Sequence, residues 1–271
     1  MVDSTAEDRL WSLVQWQPYV DANELLDAVN VLAPQKPEDF RTRVLLRDSY
    51  KALRGRWGES LLRQRLSGSA ASALAVILSE DLGDRGFATL EQRLMESLDP
   101  KKILRFLREL GEASDKPFAL YVGGSCALIL AGHLRRGTED IDIVDEIPSF
   151  ARKDHALLHR LADEFDLKLS HFQSHFLPRT WKERLHSLGS FGNAQVYLVD
   201  VYDIFVGKLF SKRVKDFKDL QVLEPHLNRE VLADRIRYHA APLADDARMR
   251  EAAEHNWYVL FGEALPAIAG A

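Results

Sequence analysis

The sequence predicts an α+β (α/β) fold with a mixed β-sheet core and flanking helices, preceded by an all-helical N-terminal region. Residues 1–97 carry amphipathic stretches with helical periodicity. Between residues 118 and 144, a strand, a glycine turn, a helix and a second strand then follow one another. More strand-like segments come after a further helical stretch, and this element order is typical of a domain built from layers of helices and sheet.

The composition is that of a compact globular protein. The chain has 271 residues, of which 46% are hydrophobic, and this is enough to build a sizeable core. A single cysteine, Cys126, excludes a disulfide framework and a zinc site made of several cysteines. No charged-then-apolar leader opens the chain and no apolar run reaches about 18 residues, so we expect a cytoplasmic protein that does not contact a membrane.

The N-terminal region (1–97) shows no recognisable site. Its helical stretches are interrupted by the segments APQKP and SGSAAS. Between Arg41 and Arg65, eight basic residues stand against two acidic ones, although the whole chain has a formal net charge of −5. This excess indicates either the solvated face of long helices or a docking surface for RNA or a protein partner.

The rest of the chain divides into a central domain (98–225) and C-terminal helices that pack on it (226–271). In LDPKKILRFLRELG, Asp99 is the predicted N-cap, Pro100 begins the helix and Gly111 follows its end. The predicted strands are FALYV, DIDIV, LKLSHF and AQVYLV, and the predicted helices are CALILAG, SFARKDHALLHRLADEF and the segments from Val201 onward.

The segment DIDIV places two carboxylates in an apolar strand. Strand alternation puts Asp140, Asp142 and Val144 on one face and Ile141 and Ile143 on the other. Two carboxylates about 7 Å apart on one face repel each other unless a cation lies near both. Mg²⁺ fits, because it binds carboxylate oxygens, keeps some of its waters and accepts phosphate oxygens. Taken alone, the segment also fits a solvated edge strand.

The turn GGS precedes this strand. A helix that begins at Gly124 or Ser125 directs free backbone N–H groups toward a bound anion, and the Ser125 hydroxyl adds a donor. Many such turns have no function. Their occurrence together with the carboxylate pair, in a strand–turn–helix–strand order, favours a site for a triphosphate and its metal.

These residues resemble the nucleotidyltransferase fold related to DNA polymerase β, particularly the small bacterial AbiEii-like group. The family pattern is an apolar residue, a Gly-Gly or Gly-Ser pair, a short helix and then Asp-apolar-Asp, often with Arg-x-Thr just before it. The matching residues are Val122, Gly123, Gly124, Ser125, Arg136, Thr138, Asp140, Ile141 and Asp142. The spacer from Ser125 to Glu139 is slightly longer than is usual in the family.

The segment VYDIFVGKLFSKRVKDFKDL resembles the family's later helical motif. Helical periodicity places Lys208 inside an apolar sector, where its ammonium group needs an anion, and a continuing helix would bring Asp216 and Asp219 near that face. The alternative is that Lys208 extends toward solvent while Lys212 pairs with Asp216.

The resemblance implies transfer of a nucleoside monophosphate from a nucleoside triphosphate to a hydroxyl group. Asp140 and Asp142 would hold Mg²⁺, for which Mn²⁺ is a substitute, and Asp216 is the favoured third carboxylate over Asp200 and Asp219. Nucleotide binding is assigned to Gly123, Gly124, Ser125, Arg136, Thr138 and Lys208. His171 and His175 could line the cleft, but the interpretation favoured for both is a packed structural residue, and neither is assigned to the site.

The acceptor is left open between an RNA such as tRNA and a protein, and the AbiEii-like resemblance adds a toxin–antitoxin or defence role. The alternative is a non-catalytic protein on the same scaffold, which binds nucleotide or docks a toxin–antitoxin partner through its N-terminal helices. A third hypothesis is a phosphohydrolase, since paired aspartates with Mg²⁺ also serve that chemistry.

Overall fold

The computed structural model describes residues 4–83, 86–87, 89–95 and 100–270. The chain divides into two compact units, Met1–Ser97 and Leu98–Ala271. The predicted N-cap Asp99 lies outside the described residues. Among the helices of the described ranges, none is both long enough and apolar enough to cross a membrane.

The first unit consists mainly of helices around its own apolar core. The helices are α1 (Ser4–Trp11), α2 (Ala22–Leu32), α3 (Phe40–Arg65), α4 (Gly68–Leu78) and α5 (Leu90–Arg93). The prediction of an all-helical region missed a short parallel pairing between β1 (Val20–Asp21) and β2 (Leu94–Met95). Each of these strands has two residues, which is too short for a period-2 pattern to appear in the sequence.

Part of the basic excess in α3 is neutralised inside this unit. Arg47 is buried and donates a hydrogen bond to Asp48, Arg43 forms an ion pair with Glu80, and Arg63 donates to Glu59. Arg65 lies over the Trp57 ring, with its guanidinium carbon 4.3 Å from the ring centroid. Fewer cations are therefore available for a polyanion than the sequence count suggests. Docking of RNA or a partner on this unit stays a prediction.

The second unit contains a five-stranded mixed sheet, which confirms the predicted fold class. Its strands are β3 (Phe118–Val122), β4 (Asp140–Val144), β5 (Lys168–Phe172), β6 (His186–Phe191) and β7 (Ala194–Leu198), in the spatial order β5-β4-β3-β7-β6. The pairs β3–β7 and β4–β5 are parallel, while β3–β4 and β6–β7 are antiparallel. The sequence did not predict β6, because a register shift between Ser187 and Gly189 breaks its alternation.

The helices of this unit pack around the sheet. They are α6 (Pro100–Glu112), α7 (Gly124–Leu130), α8 (Ser149–Lys153), α9 (His155–Phe165), α10 (Val201–Leu209), α11 (Val214–Leu223), α12 (Arg229–His239), α13 (Ala241–Ala244) and α14 (Ala247–Phe261). The single helix predicted for residues 149–165 is two helices, because Asp154 leaves the helical conformation and accepts a hydrogen bond from the Leu157 N–H.

The helix that contains Lys208 does not continue to Asp216. It ends at Leu209, and α11 begins at Val214 after a turn. The Asn256 side chain of α14 donates hydrogen bonds to the carbonyls of Leu209 and Ser211, at 2.9 and 3.1 Å, and so satisfies backbone groups that are left free where the helix ends. The turn folds α11 back beside α10, which brings the carboxylates of α11 to Lys208.

Candidate active site

A cavity of about 620 Å³ lies in the second unit, between the turn after β3, the strands β4 and β5, and the helices α10, α11 and α14. Seven of the predicted site residues line it: Gly124, Ser125, Thr138, Asp140, Asp142, Lys208 and Asp216. The other two, Gly123 and Arg136, do not line the cavity. Its volume is in the usual range for a small-molecule site.

The Asp142 carboxylate lies directly against the glycine turn. A Cβ atom built on Gly124 would be 1.9 Å from Oδ2 of Asp142, far inside van der Waals contact. Gly124 also has a φ of +57°, which side-chain-bearing residues rarely adopt. Glycine is therefore required at this position for two independent reasons, and the turn and the carboxylate form one surface.

The backbone around the carboxylate pair is fixed by short hydrogen bonds. The Gly123 N–H donates to the Asp142 carbonyl at 2.9 Å, which ties the turn to β4. The Thr138 hydroxyl donates to the Asp140 carbonyl at 3.1 Å and thereby holds the start of β4. These two residues position the site through the backbone.

The two carboxylates differ in their environments. The Asp140 side chain is 40% exposed, lies 3.5 Å from the Lys168 ammonium and accepts a hydrogen bond of 2.9 Å from Ser170. Burial raises the pKa of Asp142, and the negative charge of Asp140 raises that pKa further, while the cations of Lys208, Lys215 and Arg213 lower it in part. The pair therefore carries negative charge that the surrounding cations only partly compensate.

A divalent cation fits this pair. Within the described ranges, no group of three or more histidine, cysteine, aspartate and glutamate side chains is arranged to hold a metal. Mg²⁺ does not need such a cage, because it commonly binds one or two protein carboxylates and completes its coordination with water and phosphate oxygens.

Lys208 and Arg136 belong to a buried ion network with two carboxylates of α11. The Lys208 ammonium lies 2.5 Å from Asp216 and 2.9 Å from Asp219. The Arg136 guanidinium donates two hydrogen bonds to Asp219, at 3.0 and 2.9 Å, and a third to Ser125. The Arg136 and Asp219 side chains are 1% and 0% exposed. The sequence interpretation assigned Ser125 and Arg136 to phosphates, whereas in the structure their polar groups point into this network.

Opposing effects determine the charge state of Asp219. Burial by itself raises the pKa of this carboxyl, but the ammonium of Lys208 and the hydrogen bonds and charge of Arg136 outweigh it, so the pKa lies below its usual value. Asp219 is therefore ionised at neutral pH and holds both cations in place.

Asp216 and Asp200, two candidates for the third carboxylate, both form hydrogen bonds with other residues of the chain. Asp216 is buried, binds Lys208 and accepts a hydrogen bond of 2.8 Å from Ser211, and its role as a third catalytic carboxylate stays a prediction. Asp200 does not line the cavity. It caps α10 by accepting from the Tyr202 N–H at 3.1 Å and contacts His186 at 3.0 Å. The sequence analysis gave an ion pair between Lys212 and Asp216 as an alternative. In the structure Lys212 forms its ion pair with Glu251 instead.

Positive charge is concentrated at one side of the cavity. Lys208, Lys212, Arg213 and Lys215, which come from α10, α11 and the turn between them, line it, and Arg248 of α14 is a fifth basic side chain in the lining. Partial burial lowers the pKa of Lys215, and the positive charge of Arg136 lowers it further. A bound polyanion would relieve this mutual repulsion, so this side of the cavity suits phosphate groups.

Sequence reasoning missed an apolar part of the cavity wall formed by Phe172, Phe176, Leu177 and Met249, with the polar side chains Gln173 and Arg248 beside it. His171 also lines the cavity, and the His175 ring contacts Phe176 in a tilted arrangement with ring centroids 3.9 Å apart. Both histidines are exposed, so their interpretation as packed residues was wrong. The segment HFQSHF contains the pair His-Phe twice, which is the one sequence signal that could have indicated this wall.

The comparison with protein families gives one match. Residues 101–259, which are more than half of the chain, match the family model described as a nucleotidyltransferase of unknown function, DUF6036. The matched range includes every residue that lines the cavity. No curated protein and no solved structure matches the chain.

Proposed function

Because the chain belongs to the DUF6036 family of nucleotidyltransferases, we propose that it transfers a nucleoside monophosphate from a nucleoside triphosphate to a hydroxyl acceptor, with release of pyrophosphate. The observation that carries the proposal is the contact between the Asp142 carboxylate and the Gly124 backbone, at the edge of a cavity lined by five lysine and arginine side chains. This arrangement offers carboxylates for a metal and cations for phosphates within one small volume.

Asp140 and Asp142 are the residues that would hold Mg²⁺, or Mn²⁺ in its place. When bound, such an ion neutralises phosphate charge and orients the triphosphate for in-line displacement. Asp140 is the more exposed of the two carboxylates, while Asp142 is fixed against the turn. The chain thus holds both carboxylates, Asp140 through Ser170 and Lys168 and Asp142 against the turn.

The basic side chains are proposed to bind the phosphates of the nucleotide. Lys212, Arg213 and Lys215 lie at the exposed side of the cavity, and Lys208 lies deeper, between Asp216 and Asp219. Such fixed cations stabilise charge that develops on leaving pyrophosphate without reorganising during the reaction. Asp216 remains the proposed third catalytic carboxylate, and its contact with Lys208 also positions that cation, while Asp140 and Asp142 are the metal-binding pair.

For the acceptor, we propose an RNA end, with tRNA as the first candidate, or a protein hydroxyl group. The support is the sequence resemblance to AbiEii-like enzymes, which also suggests a toxin–antitoxin or defence role. Exposed basic side chains of α3, such as Arg41 and Lys51, would guide a polyanion to the enzyme.

The test is a transfer assay with each of the four α-labelled nucleoside triphosphates, Mg²⁺, and either bulk tRNA or a protein extract. Label in RNA or protein, together with pyrophosphate release, is the expected result. The variant Asp142→Asn should abolish transfer, and Asp163→Asn, at an exposed aspartate of α9, is the matched control.

Two outcomes would contradict the proposal. Tight nucleotide binding without turnover would identify a non-catalytic nucleotide-binding protein on this scaffold. Release of inorganic phosphate in place of pyrophosphate would identify a phosphohydrolase.

A further inference from the structure

The cavity has two chemically distinct parts. The carboxylates and basic side chains described above occupy one part. The other part is apolar, with Phe172, Phe176 and Leu177 from the end of β5 and the following turn, and Ile204, Phe210 and Met249 from the helices. A triphosphate and its metal use only the charged part, so the apolar part is left for a different portion of the same ligand.

Phe176 is the most unusual residue of the apolar part. Its side chain is a large hydrophobic group that remains 38% exposed while lining a cavity. The Phe172 ring lies beside it, with ring centroids 6.1 Å apart. One side of the Phe176 ring contacts the His175 ring, with centroids 3.9 Å apart, and the part of Phe176 that stays exposed is suited to contact a flat ring of a ligand.

The aromatic turn is fixed close to Lys208. Gly207, the residue before Lys208 on α10, packs so closely on this turn that an added Cβ would be 2.6 Å from the Phe176 carbonyl oxygen. The distance between the aromatic part and the cationic part is therefore set by backbone packing. A ligand that joins a flat ring to a polyphosphate can contact both parts at once.

One polar side chain stands in the aromatic segment. Gln173 lies between Phe172 and the turn, is exposed and lines the cavity. Its amide makes no hydrogen bond to another residue in the parts of the chain that the structure describes. An amide carries both a donor and an acceptor, which matches the paired donor and acceptor groups on the edge of a nucleobase.

We infer that Phe172 and Phe176 form the subsite for the base of the nucleoside triphosphate and that Gln173 binds the edge of that base. This inference rests on the proposed function, because it assigns a part of the same cavity. Gln173 is thereby a specificity-determining residue, since a bidentate amide contact favours some base edges, such as N6 and N7 of adenine, over others. Stacking of one base on an aromatic side chain corresponds to about a 5- to 150-fold change in affinity.

The test compares the binding of Mg²⁺-nucleoside triphosphates with that of Mg²⁺-tripolyphosphate, which has no base. In titration calorimetry, Phe176→Ala should weaken nucleotide binding about 10- to 100-fold and leave tripolyphosphate binding within about 2-fold. Phe176→Tyr should retain nucleotide binding. Gln173→Ala should bring the dissociation constants of the four nucleotides closer together. Tyr258→Ala, at an aromatic residue that is 64% exposed and does not line the cavity, is the matched control.

The outcomes separate this inference from the proposed function. Unchanged nucleotide binding in Phe176→Ala, or an equal loss for tripolyphosphate, overturns the base subsite even if the enzyme transfers nucleotides. Base-dependent binding with the expected variant effects supports the subsite even if no transfer is detected, in which case the proposed function alone fails. Wild-type protein that binds no nucleotide overturns both.

Discussion

The substitution Gly124→Ala tests whether the position of the Asp142 carboxylate matters. The new Cβ would lie 1.9 Å from Oδ2, and ordinary van der Waals contact begins near 3.4 Å, so the carboxylate or the turn must move by about 1.5 Å. A misplacement of about 1 Å in a reacting constellation costs about 100-fold in rate. We therefore expect kcat/KM to fall at least about 100-fold, which corresponds to about 2.7 kcal/mol of transition-state stabilisation.

The same substitution also strains the backbone, and a control must remove that effect. Gly132 has a φ of +80°, and a Cβ built there meets nothing within 4 Å. Gly132→Ala should lose about 1–2 kcal/mol of unfolding free energy from the left-handed conformation, and Gly124→Ala at least as much, because it must also relieve the contact with Asp142. Only Gly124→Ala should lose activity. Urea unfolding followed by circular dichroism measures the first quantity and steady-state transfer kinetics the second.

The reasoning fails if Gly124→Ala keeps kcat/KM within about 10-fold of Gly132→Ala at similar stability. The contact between the turn and Asp142 would then be only a packing feature. A large loss of stability confined to Gly124→Ala would point instead to a collapse of the turn. The activity of the folded fraction, isolated by size-exclusion chromatography, would then decide between the two explanations. Gly124→Ser would not decide between them, because its activity should fall at least as far for the same steric reason.

The remaining predictions concern stability and pH. Asp219→Asn should cost about 3–5 kcal/mol in urea unfolding, because it strands the buried guanidinium of Arg136, whereas Arg136→Met should cost less because Lys208 still pairs with Asp219. The pKa of Asp219 is lowered in the folded state, so ionised Asp219 stabilises the fold. This stabilisation is complete above the unfolded pKa of about 3.9 and is lost as the pH falls toward the folded pKa. Asp219→Asn should therefore flatten the acid limb of a plot of unfolding free energy against pH. Asn256→Ala should cost about 1–3 kcal/mol in the same assay, because two helix-end carbonyls lose their donor. Asp142→Asn should abolish transfer and yet raise the thermal unfolding midpoint measured in EDTA at pH 7. The reason is that the pKa of Asp142 is raised, so its ionised form destabilises the metal-free fold. An unchanged or lower midpoint would contradict this prediction.

Local patterns in the sequence were enough to predict the turn and the strand that carries the carboxylates. Alternation in DIDIV separated the buried Ile141 and Ile143 from the partly exposed Asp140 and Asp142, and the structure has that arrangement. A period of two residues depends only on backbone geometry, so it can be recognised without knowing the partner strands. The fold class followed from the order of such elements.

Partners far apart in the chain could not be predicted in this way. Ser125 and Arg136 lie near the glycine turn in sequence, so the simplest interpretation gave both to the phosphates. Their partner Asp219 is separated from Arg136 by 83 residues and comes from a helix whose placement depends on the turn after α10. Sequence patterns indicate which face a residue occupies, but tertiary packing decides which opposite charge it meets.

Lys208 shows how this limit affects the chemistry. The apolar surroundings correctly indicated that its ammonium group points inward and needs an anion, but the structure supplies Asp216 and Asp219 from the protein itself. Together with Arg136, the four groups carry two positive and two negative charges, so Lys208 is placed to contact a phosphate while the network as a whole adds no net positive charge. Attraction of a polyphosphate therefore falls to the outer cations, and these are partly engaged, since Lys212 pairs with Glu251 and Arg213 lies 3.7 Å from Asp216. When a polyphosphate binds, these ion pairs, which are weak in water, must be exchanged for contacts with a more highly charged ligand. The affinity for the polyphosphate should therefore fall steeply with added salt.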